Sequence, residues 1–271
     1  MARERIRLER EKATLLATLH ARALDARAAA PILGDTYAAD AVARIDFDTR
    51  ATKMTPALAR HVAIRARLMD GWAAEFLAEH PDAAVAHLGC GLDTRVYRMD
   101  PPPTVEWFDV DYPEVIDIRR RIFPERTHYT AIGSSVTEPG WVERLPDDRP
   151  LLVIAEGLVY YLGEADGRRL IARLTGRAPS GEMIMDALSR FGVRMQRFNK
   201  PVQAAKAVMG WGIDDPHELE TLRPGLRCVT AVTAFRMPGR ELLTPPSRVT
   251  FRLFSHIPAL DRSARFLRYR W

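Results

Sequence analysis

The sequence predicts an α/β fold in which a helical N-terminal cap precedes a mostly parallel, Rossmann-like sheet. Three observations carry this. Up to residue 80 the apolar residues recur at helical spacing, and after Pro81 short apolar runs alternate with helical segments. The first of those runs, residues 84–88, enters a Gly89-Cys90-Gly91 turn, whose glycines lack a Cβ and so let a ligand approach the backbone closely.

Residues 11–27 place Leu15, Leu16, Leu19, Ala23 and Leu24 on one helical face, and Pro31 with Gly34 ends the pattern. A second helix is predicted over 36–45. Thr55 then caps a third helix that starts at Pro56 and carries Leu58, Val62, Met69, Trp72 and Phe76 on one side. This divides the chain into a cap, 1–80, and a sheet domain, 81–271. Strands are predicted over 84–88, 105–110, 128–132, 151–155 and 182–187. Pro113 opens a helix through 121, in which Arg119-Arg120-Arg121 reads as a solvated face. The stretch 190–222 is long for a connection and reads as a helical insertion over the pocket. Residues 226–234 alternate like a strand, 246–257 can form a helix, and Leu267, Tyr269 and Trp271 alternate as a terminal strand.

Composition narrows the function. Among 271 residues, 40 basic and 35 acidic side chains are interleaved along the whole chain, giving a net charge of +5 without the clustering that a nucleic-acid footprint needs. Two cysteines, Cys90 and Cys228, make no disulfide framework and no C-x-x-C, and the seven histidines show no metal-binding spacing. No signal-peptide core and no run of about 20 apolar residues is present. These features predict a soluble, cytoplasmic protein with no metal, no nucleic acid and no membrane partner.

The second apolar run ends on Asp109 and Asp111, beside the glycine turn, where a carboxylate can accept hydrogen bonds from both hydroxyls of a ribose. A dinucleotide fingerprint would place a third glycine where this chain has Thr94, preceded by Asp93. A carboxylate there repels a pyrophosphate but can accept a hydrogen bond from an ammonium group. The spacing favours S-adenosylmethionine and leaves a nicotinamide dinucleotide as the alternative. Each acid also has a plain structural role open to it: Asp111 as cap of the helix begun by Pro113, Asp93 as cap of the helix after the turn, and Glu156 as a structural residue at the carboxyl end of the fourth strand.

The motifs HLGCGLDTRVYR (87–98), FDVDYPEVIDIRR (108–120) and AEGLVYYL (155–162) extend the comparison. With weaker matches in LHARALDAR (19–27), IRARLMDGW (64–72) and WGIDDPHELE (211–220), the chain resembles class I S-adenosylmethionine-dependent methyltransferases. Within that class it is similar to the leucine carboxyl methyltransferase family and its bacterial polyketide O-methyltransferase-like branch. The resemblance implies a seven-stranded sheet with the last strand antiparallel and a cofactor across the carboxyl ends of the first strands. It implies a methionine moiety near Arg65, Gly89 and Gly91, ribose at Asp111, Glu156 beside the transferring methyl, and Arg22 over the cofactor. Where protein-methylating members tend to carry Asp-Leu near the adenine, this chain has Gly133-Ser134-Ser135-Val136, which leaves the hydroxyls of Ser134 and Ser135 as adenine partners.

The expected reaction is O-methylation of a small-molecule acceptor, with S-adenosylhomocysteine as product. A carboxylate acceptor, with a pKa near ~4, is already ionised at neutral pH and needs no base. Arg65 and, on the family likeness, Tyr161 are the expected orienting groups, with Glu156 beside the reacting methyl. Of Tyr160 and Tyr161, adjacent and therefore differently directed, Tyr160 is expected in the core. His87 reads as a core residue and His61 as the reserve candidate base. Two alternatives remain: a protein C-terminal carboxyl methyltransferase, and a protein that binds the cofactor without catalysis. An amino-methyltransferase of nucleic acids would carry an Asn- or Asp-Pro-Pro-aromatic motif where this chain has Glu156-Gly157-Leu158. The sequence carries no signal for an oligomeric state.

Overall fold

The computed structural model describes residues 4–5, 13–198, 203 and 207–271. Seven strands form one sheet: β1 (Ala84–Leu88), β2 (Glu106–Asp111), β3 (Tyr129–Gly133), β4 (Leu151–Ala155), β5 (Gly181–Leu188), β6 (Arg227–Thr233) and β7 (Ala264–Arg270). Their spatial order is 3-2-1-4-5-7-6, with β1 to β5 parallel and β7 antiparallel to both neighbours, as the family likeness implies. The chain winds outward from β1 to β3 and then returns to β4 on the other side of β1. That reversal opens a crevice at the carboxyl ends of β1 and β4, the place where open α/β sheets bind ligands.

The α-helices are α1 (Ala13–Ala26), α2 (Thr36–Arg44), α3 (Pro56–Glu79), α4 (Arg95–Met99), α5 (Pro113–Ile122), α6 (Glu164–Arg177), α7 (Arg190–Arg194), α8 (Pro245–Phe254) and α9 (Pro258–Asp261). β1 and β4 are apolar along almost their whole length because both sheet faces are covered. On one face Val85, Trp107, Leu152 and Ile184 pack with Leu19 of α1 and Ile64, Met69, Trp72 and Phe76 of α3. On the other, Leu88, Val110, Val153 and Met185 pack with Leu170 and Leu174 of α6 and with Trp141 and Trp211. Thr55 caps α3 as expected, its hydroxyl accepting the Leu58 N–H at 3.2 Å.

The structure adds detail to three local expectations. The helix after the glycine turn, α4, is only five residues long, because Asp100 turns left-handed (φ 43°) and three prolines follow. The helix expected over 246–257 stops at Phe254, and Pro258 begins a separate short helix. The insertion 190–222 is broken into short pieces: among the described residues, α7 runs into a 3₁₀ turn at Met195–Phe198, and irregular chain from residue 207 leads to a second 3₁₀ segment, Pro216–Leu222. Its backbone groups bond outward instead. Gly210 N–H donates to the Tyr160 carbonyl (2.8 Å) and Ile213 N–H to the Leu188 carbonyl (2.7 Å). The Gln196 side chain bridges both polar groups of the Met209 backbone. Residues 11–12 of the first expected helix, and 199–202 and 204–206 of the insertion, lie outside the described residues. Among the described residues no helix is long and apolar enough to cross a membrane.

Candidate active site

The glycine turn after β1 is anchored from below by the end of β2. Gly89 and Gly91 adopt φ of 56° and 52°. A Cβ on Gly89 would sit 2.9 Å from Leu158 Cδ1, and one on Gly91 would sit 2.6 Å from Leu15 Cδ2. The Gly91 N–H donates to Asp111 Oδ2 at 2.7 Å. Arg119 Nη1 donates to the carbonyls of Gly91 (2.9 Å) and Asp93 (2.7 Å), while Nη2 pairs with Asp109. Asp109 in turn accepts from Trp107 Nε1 (2.9 Å) and the Tyr129 hydroxyl (2.8 Å), and meets His87 Nδ1 at 3.1 Å. Arg119 is therefore buried, not part of a solvated face. It falls on the inward stripe of α5 with Val115, Ile118 and Ile122, and only Arg120 and Arg121 are exposed.

Asp111 does not cap α5, whose N-cap is Tyr112 without a side-chain bond. Its carboxylate accepts the N–H groups of Gly91 and Tyr112, and burial pushes its pKa up against the lowering effect of those two bonds. It lines a cavity of about 300 Å³ together with Ser134, Ser135, Val136 and Leu158. Ser135 Oγ lies 2.9 Å from Thr137 Oγ1, and Ser134 donates to the Ser135 carbonyl at 3.1 Å.

Beyond the turn, charged side chains from five segments form a largely buried cluster. Asp93 pairs with Arg22 (2.8 Å) and Arg98 (2.5 Å), so its carboxylate is engaged by guanidiniums and does not cap α4. Glu156, at the end of β4, pairs with Arg22 (3.3 Å), Arg65 (3.0 Å) and Arg95. Arg65 also reaches Asp186 of β5 at 3.0 Å. Burial pushes both site acids up, but the arginines outweigh it: Asp93 is held well below the usual range by Arg22, Arg98 and Arg95, and Glu156 is brought down to about 2 by Arg65, Arg95 and Arg22. Glu156 is thus ionised at neutral pH and a weak proton acceptor. Asp186, by contrast, is raised by burial despite Arg65. Arg22 Nε is a buried donor with no partner among the described residues.

The main cavity, about 540 Å³, lies over this cluster. Leu15, Thr18 and Arg22 of α1, Leu58, His61, Val62 and Arg65 of α3, and Tyr160, Tyr161, Phe198 and Met209 line it with the glycine turn, Asp93 and Glu156. Gly89 and Tyr161 line both this cavity and the smaller one, so the two adjoin. Arg22, Arg65, Gly89, Gly91, Asp93, Glu156 and Tyr161 are therefore brought to one cavity, and Asp111, Ser134 and Ser135 to its neighbour. Tyr160 is buried and Tyr161 half-buried. His87 sits under the turn in contact with Asp109, and His61 faces the main cavity with its pKa lowered by burial. Arg95, Arg98, Arg119 and Asp186 were not singled out from the sequence. A charged residue within an otherwise apolar strand or stripe, as at Asp186 and Arg119, is the signal that marks them.

The family model described as leucine carboxyl methyltransferase matches residues 13–175. Over 266 residues, 98% of both chains, the sequence is 44% identical to "Tetracenomycin polyketide synthesis O-methyltransferase TcmP" of Streptomyces glaucescens. The chain belongs to the leucine carboxyl methyltransferase family. It is an S-adenosylmethionine-dependent methyltransferase. This methyltransferase is also 36% identical over 239 residues, 79% of each chain, to "S-adenosyl-L-methionine-dependent methyltransferase dpfgK" of Gibberella zeae. A solved Thermobifida fusca protein assigned as a methyltransferase shares its fold, with a TM-score of 0.60 over 92% of this chain and 93% of that one at 18% identity. In this methyltransferase the glycine turn joins two cavities, one lined by Asp111, Ser134 and Ser135 and the other by Arg22, Arg65, Asp93 and Glu156.

Proposed function

We propose that the enzyme methylates a carboxylate of a small, polyketide-like acceptor held in the main cavity. The observation that carries this reading is the position of Arg65: its guanidinium, with the side chain 20% exposed, sits where the ion-pair cluster meets a largely apolar cavity wall. The 44% identity to a polyketide O-methyltransferase over nearly the whole chain supports the acceptor class.

S-adenosylmethionine supplies, when bound, an electrophilic methyl on a sulfonium. In this reading Arg22 Nε takes the carboxylate of the methionine moiety, Asp93 and Glu156 face its ammonium, and Asp111 accepts from the ribose hydroxyls. Ser134 and Ser135 sit at the adenine end. Arg65 and Tyr161 orient the acceptor oxygen, and α1 with Phe198 and Met209 excludes water. Alignment of this kind is worth ~7 to 11 kcal/mol in favourable cases. A carboxylate needs no proton removed, in keeping with a Glu156 held as a weakly basic anion by three arginines. A second reading, a phenolic acceptor, is favoured by His61, a neutral imidazole in the same cavity.

The test is transfer of a tritiated methyl from the cofactor to matched polycyclic aromatic acids and phenols. A product that releases labelled methanol in mild alkali is an ester and is the expected result. An alkali-stable ether as the sole product, or no transfer to either class, would contradict the proposal.

A further inference from the structure

Asp186 interrupts the apolar run of β5, in register with Phe266 of β7, and is buried there. A carboxylate in such a place costs free energy unless it is paired and hydrogen-bonded. Both of its oxygens are engaged: Oδ1 accepts the Gly157 N–H at 2.6 Å and Oδ2 accepts Arg65 Nη1 at 3.0 Å. The first bond ties β5 to the left-handed residue (φ 72°) that follows Glu156, and the second ties it to α3. Arg65 also donates from Nε to Glu156 Oε1 at 3.0 Å. Two carboxylates therefore grip one guanidinium at different nitrogens, and Nη1 carries a second N–H that neither of them takes. Glu156 is shared with Arg22 and Arg95, whereas Arg65 is the one guanidinium that pairs with Asp186 among the described residues. Arg65 lines the main cavity and Asp186 does not, so Asp186 reaches that cavity only through Arg65.

Resting on the assignment of Arg65 to the acceptor, we propose that Asp186 is a positioning residue of the methyl transfer: its carboxylate sets the plane of the Arg65 guanidinium so that the remaining N–H groups meet the acceptor oxygen in the main cavity. With Glu156 alone the guanidinium is tied at one edge and can tilt. The second tie, at Nη1, removes that freedom, and a planar fork held at two places has little left to lose when a third partner binds. Because Oδ1 holds the Gly157 N–H, the same side chain keeps Glu156 and Arg65 in register. Such placement matters for rate, since a displacement of about 1 Å in a positioning group can cost ~10²-fold.

The experiment reads the Arg65 guanidinium by nitrogen NMR of the full chain saturated with S-adenosylhomocysteine, its signals assigned by their absence from Arg65→Lys. Slow rotation of Nη1, seen as resolved Nη protons, is expected in the wild type. It should be lost in Asp186→Asn, whose amide oxygen can still accept the Gly157 N–H but carries no charge. Calorimetric titration of the same samples with 2-anthroate should give an affinity about tenfold lower in Asp186→Asn and in Arg65→Lys. The double variant should bind it no more weakly than the single ones, because both substitutions break one unit. The affinity for S-adenosylhomocysteine should change less than about threefold. An averaged Nη signal for Arg65 in the wild type overturns the proposal without recourse to any variant. So do Arg65 signals unchanged by Asp186→Asn, additive losses in the double variant, or an S-adenosylhomocysteine affinity that falls as far as that for the acid. Arg65 signals that depend on Asp186 in a wild type that binds neither 2-anthroate nor benzoate would uphold the grip on Arg65 and overturn its assignment to the acceptor, so the two claims fail separately.

Discussion

The end proposed for the cofactor and the end proposed for the acceptor share the main cavity and are held together by different forces. At the cofactor end, polar groups fix one another: Asp111 binds the Gly91 N–H, Arg119 binds two turn carbonyls and Asp109, and Glu156 gathers three arginines. At the acceptor end the walls are mostly apolar and come from α1, α3, Phe198 and Met209. The first end is preorganised by hydrogen bonds and buried charge, the second mainly by packing, with the Gln196–Met209 and Gly210–Tyr160 bonds beside it. The lesson is that acceptor choice can drift by substitution of apolar side chains while the cofactor cradle stays intact, as sites grafted on a shared fold do.

The comparison is broken most severely at Glu156. Glu156→Gln leaves three buried guanidiniums short of an anion and should cost about 3 to 5 kcal/mol of stability, read by urea denaturation. A loss below about 1 kcal/mol would mean the cluster does not act as a unit. Arg119→Lys keeps the charge but cannot hold Asp109 and two carbonyls at once, and should weaken S-adenosylhomocysteine binding by about tenfold, checked by calorimetry. Unchanged affinity would remove Arg119 from the cradle. Tyr161→Phe is expected to lower turnover about tenfold at saturating cofactor, the loss of one hydrogen bond to a charged acceptor. Wild-type turnover would exclude it from the reaction. His61→Asn should have the smallest effect, less than about threefold with a carboxylate acceptor. A loss of ~10²-fold or more would identify His61 as a base and favour the phenolic reading.

Much of the cofactor end was legible because it is local: the glycine turn and Asp111 lie 20 residues apart in one βαβ unit, and parallel pairing of β1 with β2 forces them together. The strands were equally legible, since runs such as 151–155 are apolar on both faces. Arg119 was misread because three consecutive arginines look solvated, although helical spacing turns only the first toward Val115 and Ile122. The breaks in the 190–222 segment were not legible, because its apolar residues suggest one helix. Gly212 sits in such a break and permits a close backbone approach, a Cβ there meeting Arg190 N at 2.5 Å. The pairing of Arg65 with Asp186 joins residues 121 positions apart and leaves no local trace.

The most direct test of the account is calorimetric titration of the protein with S-adenosylmethionine and, separately, NADH, for the wild type and Asp111→Ala across acidic to neutral pH. The account predicts selective S-adenosylmethionine binding, weakened by the substitution about 10- to 150-fold, or ~1.5 to 3 kcal/mol. Because burial raises the Asp111 pKa, the wild-type affinity should begin to fall, as pH drops, above the pH at which an ordinary aspartate protonates. That acidic limb should be missing in Asp111→Ala. Equal affinity in wild type and variant, or a preference for NADH, would contradict the assignment of Asp111 and of the cradle it supports.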